Sequence, residues 1–455
     1  MGKDLTEVRN PHRPLVPDKV GPGQHEPTFL REIASKAKTH KQHRFSDLYR
    51  FLDAEFLLYC WGDLNKSAAS GVDEVTAVQY AEDLHGNLQA LAQRLKAKHY
   101  RAKRVRRVYI PKANGNQRPL GIPALEDKLV QLACAKLLTA IYEQDFLACS
   151  YGYRPEWGAL DAVRDLTFDL QYGTYGYVVE ADVCGFFDHV DHGELEWMLR
   201  ERIDDGAFMG LIRQWLKAGV LEADGRVIQP DTGTPQGGIV SPILANVYLH
   251  HVLDTWFEQV VKSHCRGEVW LCRYADDWVC AFRFQDDAKR FYRVLPKRLE
   301  RFGLQVAPEK TRLLRFSRFH PSWKRRFAFL GFEFFGLKDR QGMARVKRRT
   351  APKKLQAACR RIKDWIRDHR HLPAREFLRG LNQRLRGHDQ YFGVRGNSRA
   401  LHRFFDWAKA CVFKWRNRRG GKRRSFTWAE FTQALKYVAI ARPCITEVAR
   451  RRVFA

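Results

Sequence analysis

The chain has 455 residues, 45% of them hydrophobic, which is enough for a packed core and, at about 100–200 residues per domain, for two to four structural units. The formal net charge is +29 and it is unevenly placed: residues 301–455 hold 41 Lys and Arg against 10 Asp and Glu, residues 1–300 hold 39 against 41. No apolar run approaches the ~18 residues of a membrane span, the N-terminus lacks an apolar signal core, and the ten Cys are scattered with no Cys-x-x-Cys pair, which speaks against a disulfide framework or a structural zinc module and for a reducing, cytoplasmic compartment. A surface polarised in this way points to a polyanionic partner, nucleic acid before an anionic membrane. Phosphate-loop and dinucleotide glycine motifs are absent from the sequence.

Residues 1–42 are polar and rich in Pro and read as a loose lead-in. Apolar positions at helical spacing predict helices over about 44–66 and 76–98. Val105-Arg-Arg-Val-Tyr-Ile alternates like a strand into Pro111-Lys-Ala-Asn-Gly, a turn, so Arg118 lies on the return strand of a hairpin. A helix over 125–145 precedes a short buried strand, Tyr177-Val-Val-Glu-Ala-Asp-Val, and a helical stretch over 192–220. Gly233–Gly238 is a loop, Pro242 to about Val261 a helix, and Val269–Phe284 a hairpin with Tyr274-Ala-Asp-Asp at its tip. A helix over 285–303 and a strand pair around Phe327-Ala-Phe-Leu-Gly-Phe-Glu-Phe follow. From about residue 346 the pattern becomes helix–loop–helix, with spans predicted at 353–369, 374–388 and 397–417.

Asp182 ends one apolar strand and Asp276-Asp277 sits at the turn of another pair. Carboxylates beside buried strands cost free energy unless they are paired or hold a cation. Hard ions such as Mg²⁺ take carboxylate and phosphate oxygens, and two of them can clamp the attacking and leaving oxygens of a phosphoryl transfer. An isolated Asp-Asp pair is more often a plain turn, so its meaning depends on its neighbours.

Those neighbours occur in one order: Tyr109-Ile-Pro-Lys-Ala-Asn-Gly-Asn-Gln-Arg-Pro-Leu-Gly-Ile-Pro, Tyr153-Arg-Pro, Glu180-Ala-Asp-Val-Cys-Gly-Phe-Phe-Asp, Thr234-Pro-Gln-Gly-Gly-Ile-Val-Ser-Pro, Arg273-Tyr-Ala-Asp-Asp, Pro308-Glu-Lys-Thr and Phe329-Leu-Gly-Phe. Over about residues 44–445 the chain resembles the group II intron reverse transcriptases, also called maturases. The resemblance implies an RNA-directed DNA polymerase in which Asp182, Asp276 and Asp277, with the backbone of Val183, hold two Mg²⁺ ions, Mn²⁺ being a possible substitute. It implies that Lys112, Arg118, Phe187, Gln236 and Lys310 bind the dNTP. Lys112 and Arg118 would neutralise the triphosphate, Phe187 would exclude a 2′-hydroxyl, and Gly237 and Gly238 would let the backbone approach. Arg154 would serve fingers packing and template support, and the turn Phe329-Leu330-Gly331 would form the primer grip. Lys310 also fits a surface lysine, Phe187 an ordinary core position, and Phe329 a plain hairpin core.

The implied fold is α+β: a right-hand polymerase with fingers at 44–170 and a palm at 171–345 carrying an antiparallel sheet, followed by an all-α three-helix thumb at 346–418 and a short basic tail at 419–455. In the thumb, Leu381, Leu385, Phe404, Phe405, Trp407 and Ala408 would form an apolar stripe, and the basic face would follow RNA. Lys414, Arg416, Arg418 and Arg419 belong to a tract with a Gly-Gly break that reads as a polyanion-binding segment, with a solvated linker as the alternative. The implied partners are an RNA template (group II intron RNA foremost), a DNA primer or target, and dNTPs, with no membrane and the oligomeric state open. Many members of the family carry an HNH endonuclease; residues 419–455 are too short for one together with a DNA-binding domain, so this form is read as lacking target-strand nicking. A splicing cofactor without polymerisation, or a host-domesticated enzyme in defence or DNA repair, remains as an alternative.

Overall fold

The structure is a computed structural model and describes residues 26–111, 117–222, 224–234, 236–418 and 425–447. Its contacts divide these into two compact units, 26–162 with 175–314, and 163–174 with 315–447. The division at residue 315 falls earlier than the change of sequence character near 346.

In chain order the elements begin with α1 (Thr28–Thr39), which lies inside the stretch read as a loose lead-in. Its polar composition hides a narrow buried face of Leu30, Ile33 and Ala37. Only part of 44–66 is α-helical, as α2 (Ala54–Asp63), because Asp53 caps it: its carboxylate accepts from the Phe56 amide at 2.8 Å. Then come α3 (Ala77–Ala81) and α4 (Leu84–Lys96), each with its own cap, Thr76 and Asp83. The hairpin β1 (Val105–Pro111) and β2 (Gln117–Ile122) pairs Ile110 with Arg118. Helix α5 (Leu125–Tyr142) is buried on nearly every side and forms part of the core of the first unit.

Helix α6 (Ala159–Tyr172) precedes β3 (Tyr177–Asp182). The expected helical stretch 192–220 is two helices, α7 (His192–Arg200) and α8 (Gly206–Leu216). They are separated because Asp205 caps the second through the amides of Ala207 and Phe208 at 3.0 and 2.9 Å. Two short strands the periodicity did not mark, β4 (Val220–Leu221) and β5 (Val227–Ile228), extend the hairpin into a sheet of order β2-β1-β4-β5. Helix α9 (Ser241–Leu249) widens into π-turns over His250–Asp254 and Phe257–Val261, then closes with α10 (Lys262–His264). The hairpin β6 (Val269–Tyr274) and β7 (Asp277–Phe282), helix α11 (Gln285–Glu300) and strand β8 (Arg312–Arg315) follow. Strands β6, β7, β3 and β8 form one sheet in that order, with β7 antiparallel to both β6 and β3.

The second unit contains a three-stranded antiparallel sheet of β9 (Arg326–Phe329), β10 (Phe332–Lys338) and β11 (Ala344–Thr350). Three long helices, α12 (Pro352–Asp368), α13 (Ala374–Phe392) and α14 (Ser398–Asn417), lie within a few residues of their sequence-derived spans. Ile362, Ile366, Phe377, Leu381, Leu385, Phe404 and Ala408 form their shared core, whereas Trp407 is exposed with its indole N–H on the Cys359 carbonyl at 3.0 Å. The segment read as a tail contains a fourth helix, α15 (Trp428–Tyr437), opened by a capping box between Thr427 and Glu430. All ten cysteines are free. Among the described residues no helix is long and apolar enough to cross a membrane.

Candidate active site

The three carboxylates converge in the first unit because two strands share a register. β3 buries Val178, Val179 and Ala181, and Asp182 closes it directly opposite Asp277 at the start of β7. Asp276 lies between Tyr274 and Asp277, which pair across the β6–β7 turn. That turn is two residues, Ala275 and Asp276, and Ala275 adopts φ +55°, a left-handed conformation that a non-glycine residue takes only when its surroundings enforce it. One enforcing contact is the backbone of Gly152, packed so closely on the Ala275 amide that a β-carbon at 152 would stand 2.4 Å from it.

Burial and mutual repulsion set the electrostatics. Burial raises the Asp276 carboxyl above the usual range, and the Asp182 charge adds to the effect. Asp277 is pushed well above it, first by burial and then by Asp182, Asp276 and Glu180. Lys310 places its ammonium on the Asp182 carboxylate, a hydrogen-bonded ion pair that raises the lysine's own pKa. Glu180, on the same face of β3 as Asp182, pairs with Arg312 at 2.8 Å.

A second group lies on the loop before α9. The Arg118 guanidinium on β2 donates to Gln236 Oε1 at 3.1 Å, and the Gln236 amide donates to both oxygens of Asp188 at 3.3 Å. The loop is tied to the hairpin by the Gly121 amide on the Gln236 carbonyl, and to α5 by the Ile239 amide on Gln131 at 2.8 Å. Gly237 (φ +118°) is required here, since a β-carbon would meet the Gly121 carbonyl at 2.3 Å. Phe187 is buried, edge-on to Phe186 at 5.4 Å, with its carbonyl accepting from Thr234. Val183 forms a bridge with Val306 next to the carboxylates. Lys112 lies outside the described residues.

The other site residues named from sequence are dispersed. Arg154 is interior: it binds Glu143 and the carbonyls of Leu147 and Ser150, which explains it as packing within the first unit. In the second unit, Leu330 and Gly331 are the two positive-φ residues of the β9–β10 turn, and Phe329 is buried. The turn is fastened to α13 by the Tyr391 hydroxyl on the Leu330 carbonyl at 2.9 Å. Lys414 and Arg418 are exposed beside Trp415, whereas Arg416 turns inward to the carbonyls of Arg370 and Leu372. Arg419 lies outside the described residues.

Sequence reasoning missed Tyr153 and Asp188. Burial, together with the Asp276 charge, pushes the Tyr153 phenol up to about 12, so it stands in the field of the carboxylates. Asp188 ends the same block that carries Asp182, which was its only sequence signal.

Residues 110–334 match the family model described as reverse transcriptase (RNA-dependent DNA polymerase), and residues 355–431 match the maturase-specific domain of group II introns. Protein YkfC of Escherichia coli K12 is 34% identical over 283 residues, 55% of this chain and 74% of that protein. The chain belongs to the group II intron reverse transcriptase and maturase family. As a reverse transcriptase it is by class an RNA-directed DNA polymerase. Group II intron-encoded protein LtrA of Lactococcus lactis is 37% identical over 229 residues, 49% of this chain and 37% of LtrA. An uncharacterised 91 kDa protein in the cob intron of Schizosaccharomyces pombe is 39% identical over 173 residues, 38% of this chain and 21% of that protein. The chain therefore spans most of YkfC but only a little over a third of LtrA.

Among the described residues no cluster of three or more His, Cys, Asp or Glu stands ready to hold a metal ion. The donor chemistry nevertheless fits a hard divalent cation: three carboxylates are gathered in like-charge repulsion, and a flexible lysine ammonium already sits on one of them.

Proposed function

We propose that Asp182, Asp276 and Asp277 extend a DNA primer with dNTPs on an RNA template by two-metal phosphoryl transfer. The observation that carries this reading is the pairing of Asp182 with Asp277 across β3 and β7, with Asp276 in the adjoining turn. The three carboxylates and the Val183 backbone would hold two Mg²⁺ ions, which supply charge neutralisation at the attacking and leaving oxygens. The chain's own groups do the rest. Arg118 and Lys310 offer cations to the triphosphate, Gln236 is held in place by Arg118 and Asp188 to meet the incoming nucleotide, and Phe187 bounds the sugar. Lys310, whose ammonium rests on Asp182, would be the cation available to the departing pyrophosphate. In right-hand terms the β6-β7-β3-β8 sheet is the palm, the β1–β2 hairpin belongs to the fingers, and α12–α14 form the thumb.

The test is dNTP incorporation on an RNA template with an annealed DNA primer and Mg²⁺. Asp276→Ala should reduce incorporation to background; a wild type no more active than this variant would end the polymerase reading.

A second role rests on a separate observation, the maturase-specific match over the strongly basic last third. We propose that this part binds group II intron RNA and assists its splicing and mobility. Self-splicing at low Mg²⁺ should accelerate when the protein is added, and an unchanged rate would remove the role.

A further inference from the structure

The arginine that precedes the catalytic turn is fully buried. Arg273, Asp254, Asn246 and Ser150 all have 0% exposure. Arginine keeps its charge in any environment, so burying it demands a complete set of acceptors. Arg273 has that set. Its Nε and one Nη2 proton form a fork on Asp254 at 2.7 and 2.6 Å, and the second Nη2 proton goes to Ser150 Oγ at 2.7 Å. Its Nη1 protons reach Asn246 Oδ1 and the Ala275 carbonyl, both at 3.1 Å. Each of the five guanidinium N–H groups has its own acceptor.

Two features show what this arrangement aims at. The first is the Ala275 carbonyl, which belongs to the strained turn residue immediately before Asp276. Asn246 reinforces the same point: while accepting from Arg273 it donates to the Gly152 carbonyl at 2.6 Å, and Gly152 is the residue packed on the Ala275 amide. The second is the π-turn His250–Asp254. On a regular α-helix, positions eight apart stand about 80° apart around the axis. One extra residue in a π-turn reduces this to about 20°, so Asn246 and Asp254 face Arg273 together. The widened helix brings both partners onto one guanidinium.

We infer that Arg273, clamped by Asp254 and Asn246, is a positioning residue that fixes the Ala275 carbonyl and thereby the direction in which Asp276 and Asp277 leave the β6–β7 turn. A buried ion pair by itself adds little stability over apolar residues of similar volume. What the guanidinium supplies here is a direction, set by a planar fork that lysine cannot reproduce.

This inference rests on the polymerase reading, and the experiment separates the two. Arg273→Lys keeps the charge opposite Asp254 but cannot reach Asp254, Asn246 and Ala275 at once. It should retain the wild-type Kd for template–primer and the KM for dNTP, while kcat falls by about 10²-fold, the scale set by roughly 1 Å of misplacement. The double substitution Arg273→Met with Asp254→Leu removes both charges. It should recover the Tm that Asp254→Leu alone loses and still show the same loss of kcat. Arg273→Lys within about threefold of wild-type kcat, or a double variant recovering kcat along with Tm, would overturn the positioning role and leave the pair as packing alone. An inactive wild type would instead refute the polymerase reading.

Discussion

Asp277→Asn should abolish nucleotide incorporation and, in the absence of divalent cations, make the protein more stable at pH 8. The side chain faces Asp182 across two strands, and its carboxyl is raised well above the usual 3.8 by burial and by Asp182, Asp276 and Glu180. With the folded pKa above the unfolded one, the carboxyl's contribution to stability is complete below pH 3.8 and is lost as pH rises through the folded value. As pH rises above 3.8 the wild type must either ionise a group that the fold disfavours or hold its proton against the solution, a cost that neutral asparagine of the same shape does not bear. A tenfold difference in proton affinity is worth about 1.4 kcal/mol, and each kcal/mol shifts Tm by about 2–4 °C in a domain of this size. Thermal melts in EDTA should show the variant above the wild type at pH 8, with the gap closing towards pH 4. Added Mg²⁺ should raise the Tm of the wild type and leave that of the variant nearly unchanged. A variant that melts with the wild type at pH 8 would mean that Lys310 already relieves the repulsion.

Gly152→Ala should be nearly as damaging to catalysis although the residue carries no chemistry. Its β-carbon would stand 2.4 Å from the Ala275 amide nitrogen and 3.1 Å from the Tyr274 carbonyl carbon. Both neighbours are backbone, so either the turn or the segment carrying Gly152 must shift. Overpacking of this kind costs about 1–3 kcal/mol, and moving the Asp276–Asp277 turn by roughly 1 Å should lower incorporation by about 10²-fold. The control is Gly210→Ala in α8, where nothing lies within 4 Å of the added carbon. That change should be neutral or add about 0.5–1 kcal/mol through helix propensity. Primer extension and thermal melts on the pair would check both; a Gly152→Ala enzyme as active as the Gly210→Ala enzyme would show that the turn tolerates displacement.

The strand-end placement of the three aspartates and the long basic helices were legible because strand and helix patterns are local. Asp182 and Asp277 end or begin runs of alternating or apolar strand residues, and α12–α14 repeat an apolar face at helical spacing over several turns. The parts that escaped depend on other information. Helix α1 buries only three side chains of a polar segment, and α15 was announced by Thr427 and Glu430 at capping-box spacing within a stretch read only for its charge. The π-turns contain no Gly or Pro to mark them, so 242–261 reads as one helix from sequence. The Arg273 acceptors come from residues 150, 246, 254 and 275, which only tertiary packing brings together. For Arg154 the sequence left fingers packing and template support side by side, because a family block does not say whether its guanidinium faces solvent or the carbonyls of its own loop.

The pairing of Asp182 with Asp277 also bears on which changes of chain length this gene can survive. Successive strand residues point to opposite faces of a sheet. Deleting or inserting a single codon between Tyr177 and Asp182 would turn the terminal carboxylate away from its partner while leaving the composition of the strand almost unaltered. The turn at Asp339–Met343, by contrast, lies outside that sheet, and Gly342 there has nothing within 4 Å of an added β-carbon. An epitope tag or fluorophore peptide should be accepted at that turn, whereas in-frame indels in β3 should behave as null alleles.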